Sequence, residues 1–385
     1  MERGRSRDYL ASADILRVAA MGLVVWYHIW QQSWLNPSFS LGDRYVDLFQ
    51  LVRNGYMMVD VLLVLSGFLL ALPYARAAQG LGPRPYARDF YLRRFWRIVP
   101  SYALAVLLVF FLWALPQGLY TSPGDALKDL LTHLTFTHNL SYPTYIGTPL
   151  PIVLWTMAVE VQFYLIFPLL VLFYEEQPGL TCLILTLLAL CFRVWVYYQE
   201  DTILWVNQLP CMLDLFACGM GAAWVYVKLS GRELSDGLRW ALAAAALLAL
   251  CVIFQTLFLQ DPGDGGDHLR RGQLLWRLPL GLASAVFLVC GCLGPGKLSP
   301  ILGNPLTRFL ATISYNLYIW HQFLAVRLKA LHIPPYAAEL PNQAGEQPWQ
   351  DRYTLLCFLA AIAAGALVTY LWEKPIYRKA AKRLR

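Results

Sequence analysis

Residues 14–34, DILRVAAMGLVVWYHIWQQSW, are long and apolar enough to cross a bilayer as one helix, yet they include Arg17 and His28. Ionisable side chains inside a membrane helix are costly, and they usually face the protein interior or a water-filled cavity. At ~100° and ~1.5 Å per residue, Arg17 and His28 lie on one face and about 16 Å apart along the axis. The stretch therefore predicts a polar helix face that runs from near one membrane surface to a deep position.

The composition of the whole chain is that of a polytopic membrane protein. Of its 385 residues, 58% are hydrophobic and only 14% are charged, and the mean hydropathy is +0.47. A soluble domain carries about 25% charged residues. The net charge of +7 requires no nucleic-acid partner, because the basic residues cluster in short loops, where a protein embedded in a lipid bilayer is expected to have them.

Ten apolar stretches are predicted to be transmembrane helices. They lie at residues 13–33, 56–74, 98–115, 151–174, 180–198, 209–228, 239–259, 274–293, 306–330 and 353–372. The loop 75–97 is the most basic and should be cytoplasmic, which places both basic termini in the cytoplasm. The predicted fold class is all-α, a bundle of about ten transmembrane helices, with residues 1–385 as a single transmembrane domain and no appended soluble domain.

Two of the predicted outer loops differ in character. In the long loop after the third span, residues 125–138 place leucines at helical spacing, which predicts an amphipathic helix at the membrane interface. The loop 261–271, DPGDGGDHLRR, is rich in Gly and Asp and is predicted to be irregular.

The predicted topology gives each polar residue a depth. His28 should lie roughly 22 Å from the cytoplasmic start of its span, and Asp60, near the outer end of the second span, should lie close to the same level. His321 is expected about as far out as His28, and Glu160 near mid-membrane. One level thus combines two histidines and a carboxylate, with a second carboxylate just beneath it.

Basic residues gather at the opposite, cytoplasmic end. Arg17 lies there on the first span, and Arg94 and Arg97 are three residues apart, so they share a face if the third helix begins before them. A simpler interpretation is that such arginines only set the topology. Likewise, an intramembrane histidine such as His321 can be a hydrogen-bonded packing residue, and Asp60 can be a solvated helix-end residue.

Six motifs occur in order along the whole chain. They are Asp14-x-x-Arg17 followed by His28, MVDVLLVLSGFLL at 58–70, YLRRFWRIVP at 91–100, LWTMAVEVQFYLIFPLL at 154–170, ISYNLYIWH at 313–321 and EKP at 373–375. The ordered set resembles the acyltransferase-3 family of integral-membrane acyltransferases, which O-acylate cell-surface glycans and related molecules. Where that family usually has Gly-Val-Asp, this chain has Met58-Val59-Asp60, a change that leaves the carboxylate in place.

The resemblance implies a ten-helix, multi-pass protein of the plasma (cytoplasmic) membrane that uses acyl-CoA, with acetyl-CoA as the expected donor. By this resemblance, Arg17 and His28 match the family's Arg/Lys-x10-His pair, and Arg94 and Arg97 match its Arg-x-x-Arg pair. Glu160 matches the acidic residue of its Trp-Ser/Thr-x-x-x-Glu element.

These positions allow a mechanism for acyl transfer. The three arginines would bind the phosphates of acyl-CoA from the cytoplasm, while the pantetheine arm carries the thioester between the helices to the level of His28. Neutral His28 would act as general base on a hydroxyl of an extracytoplasmic sugar or glycan, with Asp60 or Glu160 orienting its imidazole. A covalent acyl-histidine is a variant of this scheme, and no metal ion is expected.

Two other classes of function stay open. A proton-coupled transporter or flippase would use His28, Asp60 and Glu160 as a proton relay and would move solute without CoA, although no inverted repeat is visible in the sequence. A non-catalytic membrane sensor with the same fold is the second. The acyl group, the oligomeric state and the acceptor, whether polysaccharide, lipid-linked sugar, peptidoglycan or glycosylated metabolite, are not determined by the sequence.

Overall fold

The computed structural model describes residues 9–260 and 266–383, and nearly all regular structure in them is helical. The long helices are α1 Ala11–Ser33, α3 Met58–Ala78, α4 Ala87–Val109, α5 Pro123–Leu134, α7 Trp155–Glu176, α8 Pro178–Tyr197, α9 Leu213–Ser230, α10 Asp236–Leu259, α11 Gly266–Leu293, α13 Pro305–Ala330, α14 Trp349–Val368 and α15 Lys374–Arg383. The short elements are the antiparallel hairpin β1 Ser38–Leu41 with β2 Arg44–Asp47, and the helices α2 Phe49–Arg53, α6 Tyr142–Tyr145 and α12 Ser299–Leu302.

Short turns of other helix types join or extend these elements. The 3₁₀ turns are Gly55–Met57, His138–Leu140, Ile152–Leu154, Leu209–Met212 and Gly296–Leu298. Two π-helical turns, Phe110–Ala114 after α4 and Thr369–Glu373 between α14 and α15, prolong the helices on which they lie.

The predicted all-α polytopic membrane fold is confirmed. Within the described residues, nine helical segments are long and apolar enough to cross a membrane. The remaining predicted span, 306–330, is the helix α13, which is as long as the others but more polar because it carries side chains such as Asn316, His321 and Gln322. Since polar residues at membrane depth usually face a protein interior, α13 is the helix most expected to border a site. The cytoplasmic location of both termini stays a prediction.

Two predicted loops are partly wrong. Helix α4 begins at Ala87, ten residues before the end of the predicted cytoplasmic loop 75–97, so its arginines lie on a helix. The predicted irregular loop 261–271 falls partly on residues 261–265, outside the described residues, and its remainder is the start of α11. Tertiary contacts stabilise that start, because Arg270 donates to the hydroxyl of Thr202 at 3.0 Å and Arg271 to the carbonyl of Gln199 at 3.0 Å.

The predicted amphipathic segment 125–138 forms α5, but the helix begins at Pro123 and ends at Leu134. The Ser122 side chain accepts a hydrogen bond from the backbone N–H of Asp125 at 3.1 Å, which caps the first turn. The helix buries Asp129 and His133, packs Leu130 and Leu134 against the core and exposes Leu127 and Leu131, so the face against the protein is partly polar. A location at the membrane interface stays a prediction.

Helix α3 lies at the centre of the bundle and is packed closely against α9. In its most apolar stretch 78% of the residues are buried, against 28% in α8 and in α10. A Cβ atom on Gly219 of α9 would meet the carbonyl oxygen of Val64, and one on Gly67 of α3 would meet that of Phe216. Small residues that let two backbones touch are typical of packing between membrane helices. Helix α3 is therefore held tightly against α9, and its other side borders a cavity.

Candidate active site

A cavity of about 490 Å³ lies among helices α1, α3, α4, α7 and α13. Its lining follows α3 from Val59 to Tyr74, about 22 Å at 1.5 Å per residue. One end is bordered by Tyr74, Pro85 and Arg93, and the other by Val59 and Tyr318. The cavity is therefore a passage along most of a membrane-spanning helix.

Arginines line this cavity from two helices. Arg17 comes from α1, and Arg93, Arg94 and Arg97 come from the first half of α4. Helical spacing explains the second group, because residues three and four apart share a face. Of the four, Arg93 is the residue that the sequence analysis did not single out, although its spacing to Arg97 was a usable signal.

Most of this positive charge has no counter-charge in direct contact. Among the described residues, Arg93, Arg94 and Arg97 form no ion pair, and the guanidinium of Arg94 instead lies 5.6 Å from the ring centroid of Tyr164. Arg17 is paired with Asp14 on the same helix, at 3.0 Å. The region is thus electropositive and has the residues to bind an anionic ligand.

Glu160 lies in the same cavity as the arginines. Its carboxylate accepts a hydrogen bond from the hydroxyl of Tyr164, one turn further along α7, at 3.1 Å, and lies within electrostatic range of Arg94 and Arg97. The described contacts of Glu160 do not include His28. The structure therefore brings together four of the predicted site residues, Arg17, Arg94, Arg97 and Glu160, at the arginine-rich part of the passage.

His28 lies beyond the other end of the cavity, on α1. Its Nδ1 is 2.9 Å from Oε1 of Gln31 and 3.3 Å from Nε2 of Gln322, and its ring centroid is 5.1 Å from that of His321. The expected proximity of the two histidines is thus present. Neither glutamine was singled out from the sequence, although Gln31 is one helical turn from His28 and Gln322 follows the ISYNLYIWH motif directly.

His321 and Tyr318 separate His28 from the cavity. Tyr318 lines the cavity, and its ring centroid is 5.4 Å from that of His321. His321 is 1% exposed, and its Nδ1 is 2.6 Å from the backbone carbonyl of Tyr318. A carbonyl only accepts, so Nδ1 of His321 carries the proton and Nε2 carries the lone pair, with no partner among the described residues. Ring contacts from Tyr318 to His321 and from His321 to His28 therefore connect this end of the cavity to His28.

Asp60 is not beside His28 and is not solvated. It is 1% exposed, and its Oδ2 accepts a hydrogen bond from Nε of Arg277 on α11 at 3.3 Å. Arg277 also donates to the carbonyl of Val206 and to Oδ1 of Asn207. A buried carboxylate needs a strong partner, and a guanidinium far along the chain supplies it. The structure thus places Asp60 in a different polar cluster from the two histidines.

A smaller cavity of about 310 Å³ adjoins the arginines. It shares Arg17 and Arg97 with the larger one and is also bordered by Glu373 and Lys374 of the EKP motif. Glu373 is held by Asn316 of α13, whose amide donates to its carboxylate at 2.6 Å. No group of three or more His, Cys, Asp or Glu residues suited to a metal ion occurs in the parts of the chain that the structure covers.

Comparisons with known proteins agree with the motifs. The chain is 30% identical over 343 residues to the peptidoglycan O-acetyltransferase OatA of Listeria monocytogenes, covering 82% of this chain and 49% of that protein. It is 29% identical over 338 residues to a Bacillus subtilis protein, YrhL, named as a candidate peptidoglycan O-acetyltransferase, with coverages of 81% and 48%. The O-acetyltransferase OatA of Staphylococcus aureus is 22% identical over 351 residues, with coverages of 86% and 53%. The chain therefore spans about half the length of the curated relatives it matches.

No solved structure matches the chain. The family model described as an acyltransferase domain matches residues 10–371, which include five of the six motifs, all but EKP at 373–375. The chain belongs to the acyltransferase-3 family.

Proposed function

We propose that the protein is a membrane-bound O-acyltransferase that moves an acetyl group from cytosolic acetyl-CoA to a hydroxyl of an extracytoplasmic cell-wall glycan. The observation that carries the proposal is the passage along α3. Toward one end it has three arginines that form no ion pair within the described part of the chain, and the two histidines lie just beyond the other end. A transferase that draws its donor and acceptor from opposite sides of a membrane needs such a passage.

Acyl-CoA fits the two ends of this cavity chemically. Its phosphates would bind Arg94 and Arg97, since guanidinium groups form charge-assisted and often bidentate hydrogen bonds with phosphate. Its thin pantetheine arm would lie along α3 past Arg17, against the leucines that line the cavity. The thioester would then reach the end bordered by Tyr318.

His28 is proposed as the general base of the reaction. Its imidazole takes the proton of the acceptor hydroxyl, the oxygen attacks the thioester carbonyl carbon, the C–S bond breaks, and the CoA thiolate leaves and is protonated. Tyr318 and His321 lie between the cavity and His28. A rotation of the Tyr318 side chain would therefore be needed to bring the thioester to the base. Glu160, which lies within electrostatic range of Arg94 and Arg97, would order the donor end rather than orient His28.

The proposed acceptor is peptidoglycan, since two of the relatives have that name. The location would be the plasma membrane, with the acceptor outside. The chemistry of the site requires only a hydroxyl that reaches His28 from the outer side.

The test is acetyl transfer by the purified full chain in liposomes, with radiolabelled acetyl-CoA and soluble peptidoglycan fragments. We expect base-labile label in the glycan, at least about a hundredfold less from His28→Ala, and unchanged transfer from His332→Ala, which alters an exposed histidine. Solute flux without CoA and without labelled glycan would instead support the transporter. An active His28→Ala variant would remove His28 from the chemistry.

A further inference from the structure

Two glutamine side chains face the same nitrogen of His28. Oε1 of Gln31 is 2.9 Å from Nδ1 of His28, and Nε2 of Gln322 is 3.3 Å from that atom. An amide oxygen only accepts hydrogen bonds, and an amide NH₂ only donates them. Nδ1 of His28 therefore lies between one acceptor and one donor, and it can satisfy only one of them at a time.

Each amide has a second contact, and that of Gln322 fixes its orientation. Nε2 of Gln31 donates to the hydroxyl of Tyr27 at 2.9 Å, which leaves Oε1 directed at His28. Oε1 of Gln322 accepts from the backbone N–H of Val153 at 3.4 Å, which leaves Nε2 directed at His28. Turning the Gln322 amide over would break its hydrogen bond with the N–H of Val153, so a donor at Nδ1 of His28 is built into the fold. Gln31 faces that donor with its oxygen, which is the arrangement in which the two amides do not both donate to Nδ1.

The two contacts select opposite tautomers of His28. When Nδ1 donates to Gln31, the lone pair is on Nε2, and that nitrogen can act as a base. When Nδ1 accepts from Gln322, Nε2 carries the proton and cannot. The contact with Gln31 is the shorter of the two, and it also suits the imidazolium, whose Nδ1 can only donate.

We propose that Gln31 is the positioning residue that holds His28 in its basic tautomer, in the role that a carboxylate has in catalytic triads, and that Gln322 opposes it. This inference rests on the proposed function of His28 as general base. An amide oxygen fixes the tautomer without placing a negative charge beside the imidazole, so proton uptake at Nε2 is not made easier by an ion pair.

The surroundings of His28 are almost free of charge. The titratable groups facing the ring are Tyr27 on α1, with ring centroids 4.9 Å apart, and His321 on α13. Tyr56, before α3, contacts Tyr27, and Lys329 of α13 donates to the backbone carbonyl of Gln32. The described hydrogen bonds and ion pairs of His28 include no carboxylate, which leaves Gln31 as the acceptor for its Nδ1 proton.

The first test compares Gln31→Leu with the double variant Gln31→Leu/Gln322→Leu by steady-state kinetics. Removing only the acceptor leaves the donor Gln322 in place, so His28 shifts to the inactive tautomer and kcat falls by at least about tenfold at every pH, with KM for the donor unchanged. Removing Gln322 as well abolishes that bias, and kcat recovers in part. If the two glutamines had a merely structural role, adding Gln322→Leu to Gln31→Leu would not be expected to raise kcat.

The second test introduces a charge. Gln31→Glu places a carboxylate at Nδ1, which favours the imidazolium, so the rising limb of the kcat–pH profile moves to higher pH. The matched control is Gln32→Glu, the same change one residue later, at a side chain that has no hydrogen bond among those described. A Gln31→Glu profile that moves no further than the Gln32→Glu profile contradicts the proposal, as does a Gln31→Leu variant with wild-type kcat.

A readout without turnover separates this inference from the proposed function. In protein labelled with ¹⁵N-histidine, the Nδ1 signal assigned by its loss in His28→Ala should be that of a protonated nitrogen in the wild type and of an unprotonated one in Gln31→Leu. If the wild type transfers no acetyl group, the proposed function fails. If the wild type is active but the signal does not change, only the positioning role of Gln31 is overturned.

Discussion

The carboxylate of Asp60 on α3 is paired with the guanidinium of Arg277 on α11, Oδ2 to Nε 3.3 Å, and both side chains are fully buried. Next to this pair, Arg193 of α8 is bound to Asp214 of α9. The two ion pairs connect four helices of the bundle. Since removing one partner leaves an uncompensated charge in a nonpolar interior, this cluster is expected to support the fold.

Asp60→Leu should therefore destabilise the protein more than it impairs the chemistry. Breaking a buried pair costs about 3–5 kcal/mol, whereas replacing both partners by apolar residues is often close to neutral. We expect a lowered Tm in detergent for Asp60→Leu, and a smaller loss for the double variant Asp60→Leu/Arg277→Leu. A variant with wild-type Tm but no acetyl transfer would instead return Asp60 to the catalytic group.

Arg94→Ala/Arg97→Ala should weaken donor binding. Each guanidinium can form charge-assisted hydrogen bonds worth about 1.5–3 kcal/mol, so the Kd for acetyl-CoA should rise by roughly tenfold or more per arginine, measured by calorimetry at constant salt. The control is Arg88→Ala, an exposed arginine of the same helix that does not line the cavity. An unchanged Kd in the double variant would mean that these arginines only set the topology.

The sequence was informative wherever a site depends on local spacing. The position of Arg17 one turn after Asp14, and of Arg94 one turn before Arg97, follows from helical periodicity, and the structure places these arginines at one cavity. The Asp60–Arg277 pair joins residues 217 positions apart, which no periodicity encodes. The prediction that Asp60 lies beside His28 rested on depth alone. It was wrong because depth along a helix does not determine which neighbouring helix a side chain faces.

Gly219→Ala should disrupt the packing of α3 against α9. A Cβ at this position would meet the carbonyl oxygen of Val64 and, at 2.5 Å, the backbone nitrogen of Phe68, and neither backbone can move without shifting α3. Overpacking of this kind costs about 1–3 kcal/mol or more, seen as a lower Tm. Gly221→Ala on the same helix is the control, since its Cβ would meet only the Sγ of Cys182, at 3.8 Å. Equal Tm values for the two variants would mean that the helices separate without cost.

His138 should make the stability of the protein depend on pH. It lies between α5 and α7, is 1% exposed and is stacked on His133 with ring centroids 4.0 Å apart. Burial, and secondarily the neighbouring His133, holds the pKa of His138 well below its ordinary value. The folded state therefore favours the neutral ring, and its contribution is present above the unfolded pKa of about 6.5 and is lost as the pH falls below it.

We therefore expect the free energy of unfolding to fall by up to about 1.4 kcal/mol for each pH unit below 6.5 on account of this one residue. His138→Phe, which keeps an aromatic ring and removes the titration, should flatten the dependence of Tm on pH between 7 and 5. His332→Phe, at an exposed histidine, should leave the wild-type slope. If His138→Phe and the wild type lose Tm in parallel on acidification, the acid sensitivity arises elsewhere, and the stacked pair is simply a packing contact.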